Sequence, residues 1–141
     1  MWLSSLLSAV AIGGALLVND APQSGKWLAT VNQLTGGGSA DLTIEPRNDK
    51  QSRARLSFRN VRRDMRIAWD VVAGSCGDQG APIAAQAAFT QAITQMDGAG
   101  SVTATIPKLE SGKRYYIRVF DPQVAPTDQS AWGCANISEK P

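Results

Sequence analysis

The chain opens on an uninterrupted apolar run, Trp2 to Val18, and then changes to short alternating segments divided by turn residues. No charged residue falls inside the run, and Asn19 and Asp20 end it. As a helix it would be about 26 Å long, slightly under the roughly 30 Å hydrocarbon core of a bilayer. Residues 1–19 are therefore expected to form a hydrophobic membrane-associated helix, residues 20–26 a polar linker, and residues 27–141 a separate domain. Ser5, Ala9 and Gly13 recur at four-residue spacing, which lets membrane helices approach closely. A cleaved secretory signal is the competing reading. It requires a basic start and small residues before the cut, yet the first basic residue is Lys26; a cut after Ala21 would put Asn19 at −3 and Pro22 at +1, and one after Ala15, with Gly13 at −3, would leave an apolar stub.

Beyond the linker the period is two. Trp27, Ala29 and Val31 alternate with Leu28, Thr30 and Asn32, and the Gly36–Ser39 stretch makes a turn. Leu42 and Ile44 alternate with Asp41, Thr43 and Glu45 up to Pro46. Leu56 and Phe58 face inward while Arg53, Arg55 and Arg59 face outward; Met65, Ile67, Trp69 and Val71 form the next inward row. The Ala/Gln-rich segment Ala84–Met96 reads as a strand rather than a short helix, turning through Asp97–Gly100 into Ser101–Pro107 as a hairpin. Tyr115, Ile117 and Val119 mark a late strand, alternating with outward Arg114, Tyr116 and Arg118, and Ala131–Ile137 the last one. The prediction is an all-β domain, a Greek-key β-sandwich of about 7–8 strands preceded by one N-terminal hydrophobic helix.

Composition removes whole classes of chemistry. The chain has 141 residues, a net charge of +2 and no histidine. That length suits one domain. Without imidazole there is no His-based triad, proton shuttle or imidazole metal site. No catalytic residue, metal or cofactor is expected. Asp70 is the most interesting carboxylate, on an otherwise apolar strand beside Trp69; alternation turns it outward, where it would be solvated or salt-bridged. The two cysteines, Cys76 and Cys134, either bridge or remain two buried thiols. Together with the apolar N-terminal run, the bridged state in an oxidising compartment is the favoured one, and would add about 4 kcal/mol in the chain-entropy treatment.

The stretch Trp69-Asp70-Val71-Val72-Ala73-Gly74-Ser75-Cys76-Gly77 resembles the metal strand of the Cu,Zn superoxide dismutase-like and CHRD-like β-sandwiches, in which His-hydrophobic-His passes into a Gly-x-Cys loop. Gly133-Cys134-Ala135-Asn136-Ile137 is similar to the C-terminal strand whose cysteine pairs with that loop. The resemblance spans residues 27–137 and implies a Cys76–Cys134 disulfide. Asp70 and Val72 stand where the paired copper-ligating histidines would be. The resemblance thus implies a sandwich that has kept its frame and lost its metal site.

Charge is uneven. Between Arg47 and Arg66 lie eight basic residues, Arg47, Lys50, Arg53, Arg55, Arg59, Arg62, Arg63 and Arg66, against Asp49 and Asp64. Arg53, Arg55 and Arg59 share one sheet face, with Arg62 and Arg63 at the adjoining turn, and these five are the candidate partner-binding residues. Arginine suits bidentate contacts to carboxylate or phosphate; a solvated outer face that resists edge pairing is the plainer account. No aromatic platform is interleaved, so nucleic acid is not the expected partner. The function expected is a non-catalytic accessory subunit. It would be held at the bacterial inner membrane with its β-domain on the periplasmic side, contacting the bilayer and the acidic surface of a larger membrane protein complex, respiratory or photosynthetic. The alternative is a secreted ligand- or metal-binding module, its signal removed, using Asp70 and nearby loop oxygens.

Overall fold

A computed structural model describes residues 25–123 and 131–141. The predicted N-terminal helix, with Ser5, Ala9 and Gly13, lies outside the described residues. Eight strands run in chain order: β1 Lys26–Val31, β2 Ser39–Pro46, β3 Gln51–Arg59, β4 Arg66–Ala73, β5 Ala92–Ile93, β6 Gly100–Pro107, β7 Tyr115–Phe120 and β8 Ala131–Lys140. All pairings are antiparallel, in the order β5-β4-β7-β8-β1-β2-β3-β6, so the domain is all-β, one sheet curled into a nearly closed, sandwich-like barrel. β8 joins the two walls. Its first part, from Ala131 to Ile137, pairs with β7, and Ser138 to Lys140 pair with β1.

The alternation read along the chain sets which side of each strand faces in. Trp27, Ala29 and Val31 of β1, Ala40, Leu42 and Ile44 of β2, and Ala54, Leu56 and Phe58 of β3 are buried in one core. Each large aliphatic or aromatic side chain there contributes about 1.5–3 kcal/mol through removal from water. Ile67, Trp69 and Val71 of β4 and Ile117 and Val119 of β7 meet them from the other wall. Two edge-to-face pairs, Trp27–Tyr115 with ring centroids 5.5 Å apart and Trp69–Phe89 at 5.2 Å, fill the middle.

Two expectations are corrected. Ala84–Met96 is not a strand: it holds a single 3-10 turn, Gln86–Ala88, and the two residues of β5. Its backbone is engaged by Trp69 instead, whose Nε1–H donates to the Thr90 carbonyl at 2.7 Å, while Gln86 Nε2 donates to the Trp69 carbonyl at 3.1 Å. The Asp97–Gly100 turn forms, with Gln95 N–H donating to the Ala99 carbonyl and Gly98 N–H to the Gln95 carbonyl. It does not close a hairpin: β5 pairs with β4, and β6 crosses to β3. Packing around Val61 is close at two turns. A Cβ on Gly98 would lie 2.2 Å from the Val61 carbonyl oxygen, and one on Gly38 2.7 Å from the Val61 side chain. Both glycines have positive φ, so only glycine fits in both space and conformation.

The second correction concerns β4 and β7. Alternation leaves Ala68, Asp70, Val72, Tyr116, Arg118 and Phe120 on the outer side, yet all six are buried. The chain after β4 folds back over part of this side: Val72 forms a bridge with Pro82, Ile83 N–H donates to the Val71 carbonyl, and the Tyr116 hydroxyl donates to the Asp78 carbonyl. No helix among the described residues is long and apolar enough to cross a membrane.

Candidate functional site

The strand that resembles a metal strand carries no open site. Asp70 is fully buried, and β4–β7 pairing sets it directly across from Arg118. The guanidinium donates through Nε to Oδ1 at 2.9 Å and through Nη2 to Oδ2 at 2.7 Å. A two-pronged contact of this kind satisfies both carboxylate oxygens. Asp70 is thus salt-bridged, as one half of its sequence reading allowed, but inside the protein rather than in solvent. Val72 is equally buried. Among the described residues no group of three His, Cys, Asp or Glu side chains is placed to hold a metal ion.

Cys76 and Cys134 are bridged, with Cα atoms 5.9 Å apart and a sequence separation of 58. The bridge ties the loop after β4 to β8, and the Cys76 N–H adds a 2.8 Å hydrogen bond to Asn136 Oδ1. Asp78 organises the same loop by accepting from Ser75 N–H at 2.9 Å.

The five candidate arginines fall into four situations. Arg53, Arg55 and Arg59 share the outer face of β3, as alternation requires. Arg59 is occupied: Nη2 lies 2.7 Å from Asp41 Oδ2, and the Thr30 hydroxyl donates to the other Asp41 oxygen at 2.9 Å. Arg55 donates only Nε, to Ser101 Oγ at 3.3 Å. Arg53 makes no hydrogen bond or ion pair among the described residues; Glu45, directly across from it on β2, lies 3.6 Å from Lys26 Nζ. Arg62 and Arg63 sit exposed at the barrel end, in the link between β3 and β4. Their backbone is pinned by buried Thr94, whose hydroxyl donates to the Arg62 carbonyl at 2.6 Å and accepts from Met65 N–H at 2.9 Å.

Sequence reasoning missed the residues that frame Arg53 and Arg55. Register puts Thr43, Arg55 and Thr103 in one row across β2, β3 and β6, and Glu45, Arg53 and Thr105 in the next. Arg47 reaches across to donate to Thr105 Oγ1 at 3.0 Å. Thr103 and Thr105 alternate with Val102, Ala104 and Ile106, so their outward direction was readable; their place beside the arginines depends on β6 pairing with β3. Away from this wall, the hydrogen bond of Lys113 to Glu110, together with the attraction of that carboxylate, raises the lysine's pKa above its ordinary value. No protein-family model matches the chain, and no curated protein is similar to it.

Proposed function

We propose that this protein is a non-catalytic accessory subunit of a larger membrane protein complex, a β-domain on the periplasmic side of a bacterial inner membrane held there by residues 1–19. The observation that carries the reading is the outer face of β3, where arginines stand on a rigid sheet and Arg53 has no charged partner among the described residues. The planar guanidinium presents its donors as a pre-organised fork that matches a carboxylate, which favours acidic protein surfaces as partners. Two further observations support it. The carboxylate on the former metal strand is used internally by Arg118, which fits a dismutase-like sandwich put to a new purpose. The Cys76–Cys134 bridge is in keeping with an oxidising compartment. The finer fold reading, a Greek-key sandwich, draws on the non-consecutive neighbours in the sheet, β4 beside β7 and β3 beside β6.

Gentle detergent extraction of native membranes, followed by intact mass and identification of co-purifying chains, tests the proposal. Retention of residues 1–19, a need for detergent, and co-migration with a large complex are the expected results. A chain released by salt alone as a free monomer overturns it, as does copper bound to the purified protein.

A further inference from the structure

We propose that the wall formed by β2, β3 and β6 carries a peptide-binding groove centred on Arg53, and that its ligand is an extended segment with acidic residues two or three positions apart. The inference rests on the accessory reading above and names the part of the partner that the protein grips.

Two cavities meet at Arg53. One, of about 360 Å³, is lined by Thr43, Glu45, Arg53, Arg55 and Thr103 together with Lys26. The other, of about 260 Å³, lies on the far side of β6 and is lined by Arg47, Arg53, Thr103 and Thr105 along with the segment that carries Thr90. Arg53 and Thr103 line both, so the cavities adjoin at these side chains, and the proposed groove runs across the strands through the two of them. Adjacent strands lie about 4.8 Å apart, so its length over β2, β3 and β6 is about 10 Å, or three residues of extended chain at about 3.3 Å each. Carboxylates two or three residues apart in such a chain would meet two of the three arginines that line it, Arg47, Arg53 and Arg55.

The chemistry of the walls selects the ligand. Arg53 is uncommitted among the described residues, Arg55 uses only Nε, and Arg47 donates one Nη1 bond to Thr105. Guanidinium faces thus remain for two-pronged carboxylate contacts, and threonine hydroxyls can accept from peptide N–H or donate to its carbonyls. Glu45 shares one end and disfavours an acidic residue there, which gives the groove a direction. A membrane surface fits poorly, since Leu28 is the one large apolar residue described as exposed on this face, the other two being Ile93 and Met96 near β5. Nucleic acid fits poorly as well, for want of an aromatic platform.

The test uses the full, oxidised chain and a fluorescein-labelled hexaglutamate peptide read by anisotropy, with phosphatidylglycerol vesicles and inorganic phosphate as parallel probes. Saturable peptide binding is expected, weakened at least fivefold in Arg53→Gln. The double variant Arg66→Gln/Arg114→Gln removes twice the charge from exposed positions at β4 and β7 and should change binding less than twofold. Equal losses in both variants would mean a diffuse field rather than a groove and overturn the proposal. So would absence of peptide binding by the unaltered chain, or binding of vesicles or phosphate in preference to hexaglutamate. If Arg53→Gln abolishes peptide binding while no complex co-purifies with the native chain, the groove stands and the accessory reading fails. If a complex co-purifies equally well with Arg53→Gln, the reverse holds.

Discussion

Two walls of the same barrel carry an arginine on the outer side of a strand, and they treat it in opposite ways. On β7, Arg118 is 4 % exposed and gives both prongs of its guanidinium to Asp70. On β3, Arg53 stands in the open with no partner among the described residues. The difference is not in residue type or alternation. It lies in burial and in the cross-strand partner: β4–β7 pairing sets Asp70 across from Arg118 with both buried, whereas Glu45, across from exposed Arg53, lies 3.6 Å from Lys26 Nζ. A buried arginine must be satisfied, because an unpaired charge in a low-dielectric interior costs several kcal/mol. An exposed one need not be, and is available to another molecule.

The contrast can be broken most forcefully at the sealed wall. Arg118→Met leaves the Asp70 carboxylate buried without its counter-charge and should lower unfolding stability by about 3–5 kcal/mol. Adding Asp70→Leu in the same chain should recover most of that loss, because two packed apolar groups need no charge compensation. Chemical denaturation of both single variants and the double variant measures the coupling; a double variant as unstable as the worst single one would mean that the pair matters for shape rather than charge.

Removing the bridge on the same side comes next. Cys76→Ser with Cys134→Ser frees the loop from β8 and should cost about 2–4 kcal/mol, read as a lower midpoint in thermal unfolding. A loss under about 0.5 kcal/mol would mean that the Asn136 and Asp78 hydrogen bonds hold the loop without it.

The open wall gives the smallest effects. Arg59→Gln removes the exposed pair with Asp41 and should cost no more than about 1 kcal/mol, and Arg53→Gln should stay within about 0.5 kcal/mol of the parent. A larger loss at Arg53 would assign it a structural role like that of Arg118 and erase the contrast between the walls.

How far the fold could be read follows from the range of the interactions. β1, β2 and β3 were legible because their alternation is regular and short turns join them: the Asn48 carboxamide accepts from Lys50 and Gln51 N–H groups and closes the β2–β3 turn locally. The Ala84–Met96 segment was misread because its composition carries no period of its own; Phe89 and Thr90 are held by Trp69, which is remote in the chain. The five arginines were legible as a cluster. Their separation into one committed to Asp41, one bonded through Nε to Ser101, one uncommitted and two at the barrel end was not, since it depends on cross-strand neighbours.

By itself, then, the amino-acid order determined the all-β class, the inward and outward side of most strands, the absence of imidazole chemistry and the concentration of positive charge. A period of two dictates side-chain direction from within each segment. Only the tertiary structure decided that β6 lies against β3, that Asp70 meets Arg118 across a sequence separation of 48, and that Arg53 lines two adjoining cavities. Alternation says which way a side chain points. What it meets there is set by strands brought together from far along the chain, and no local pattern encodes that.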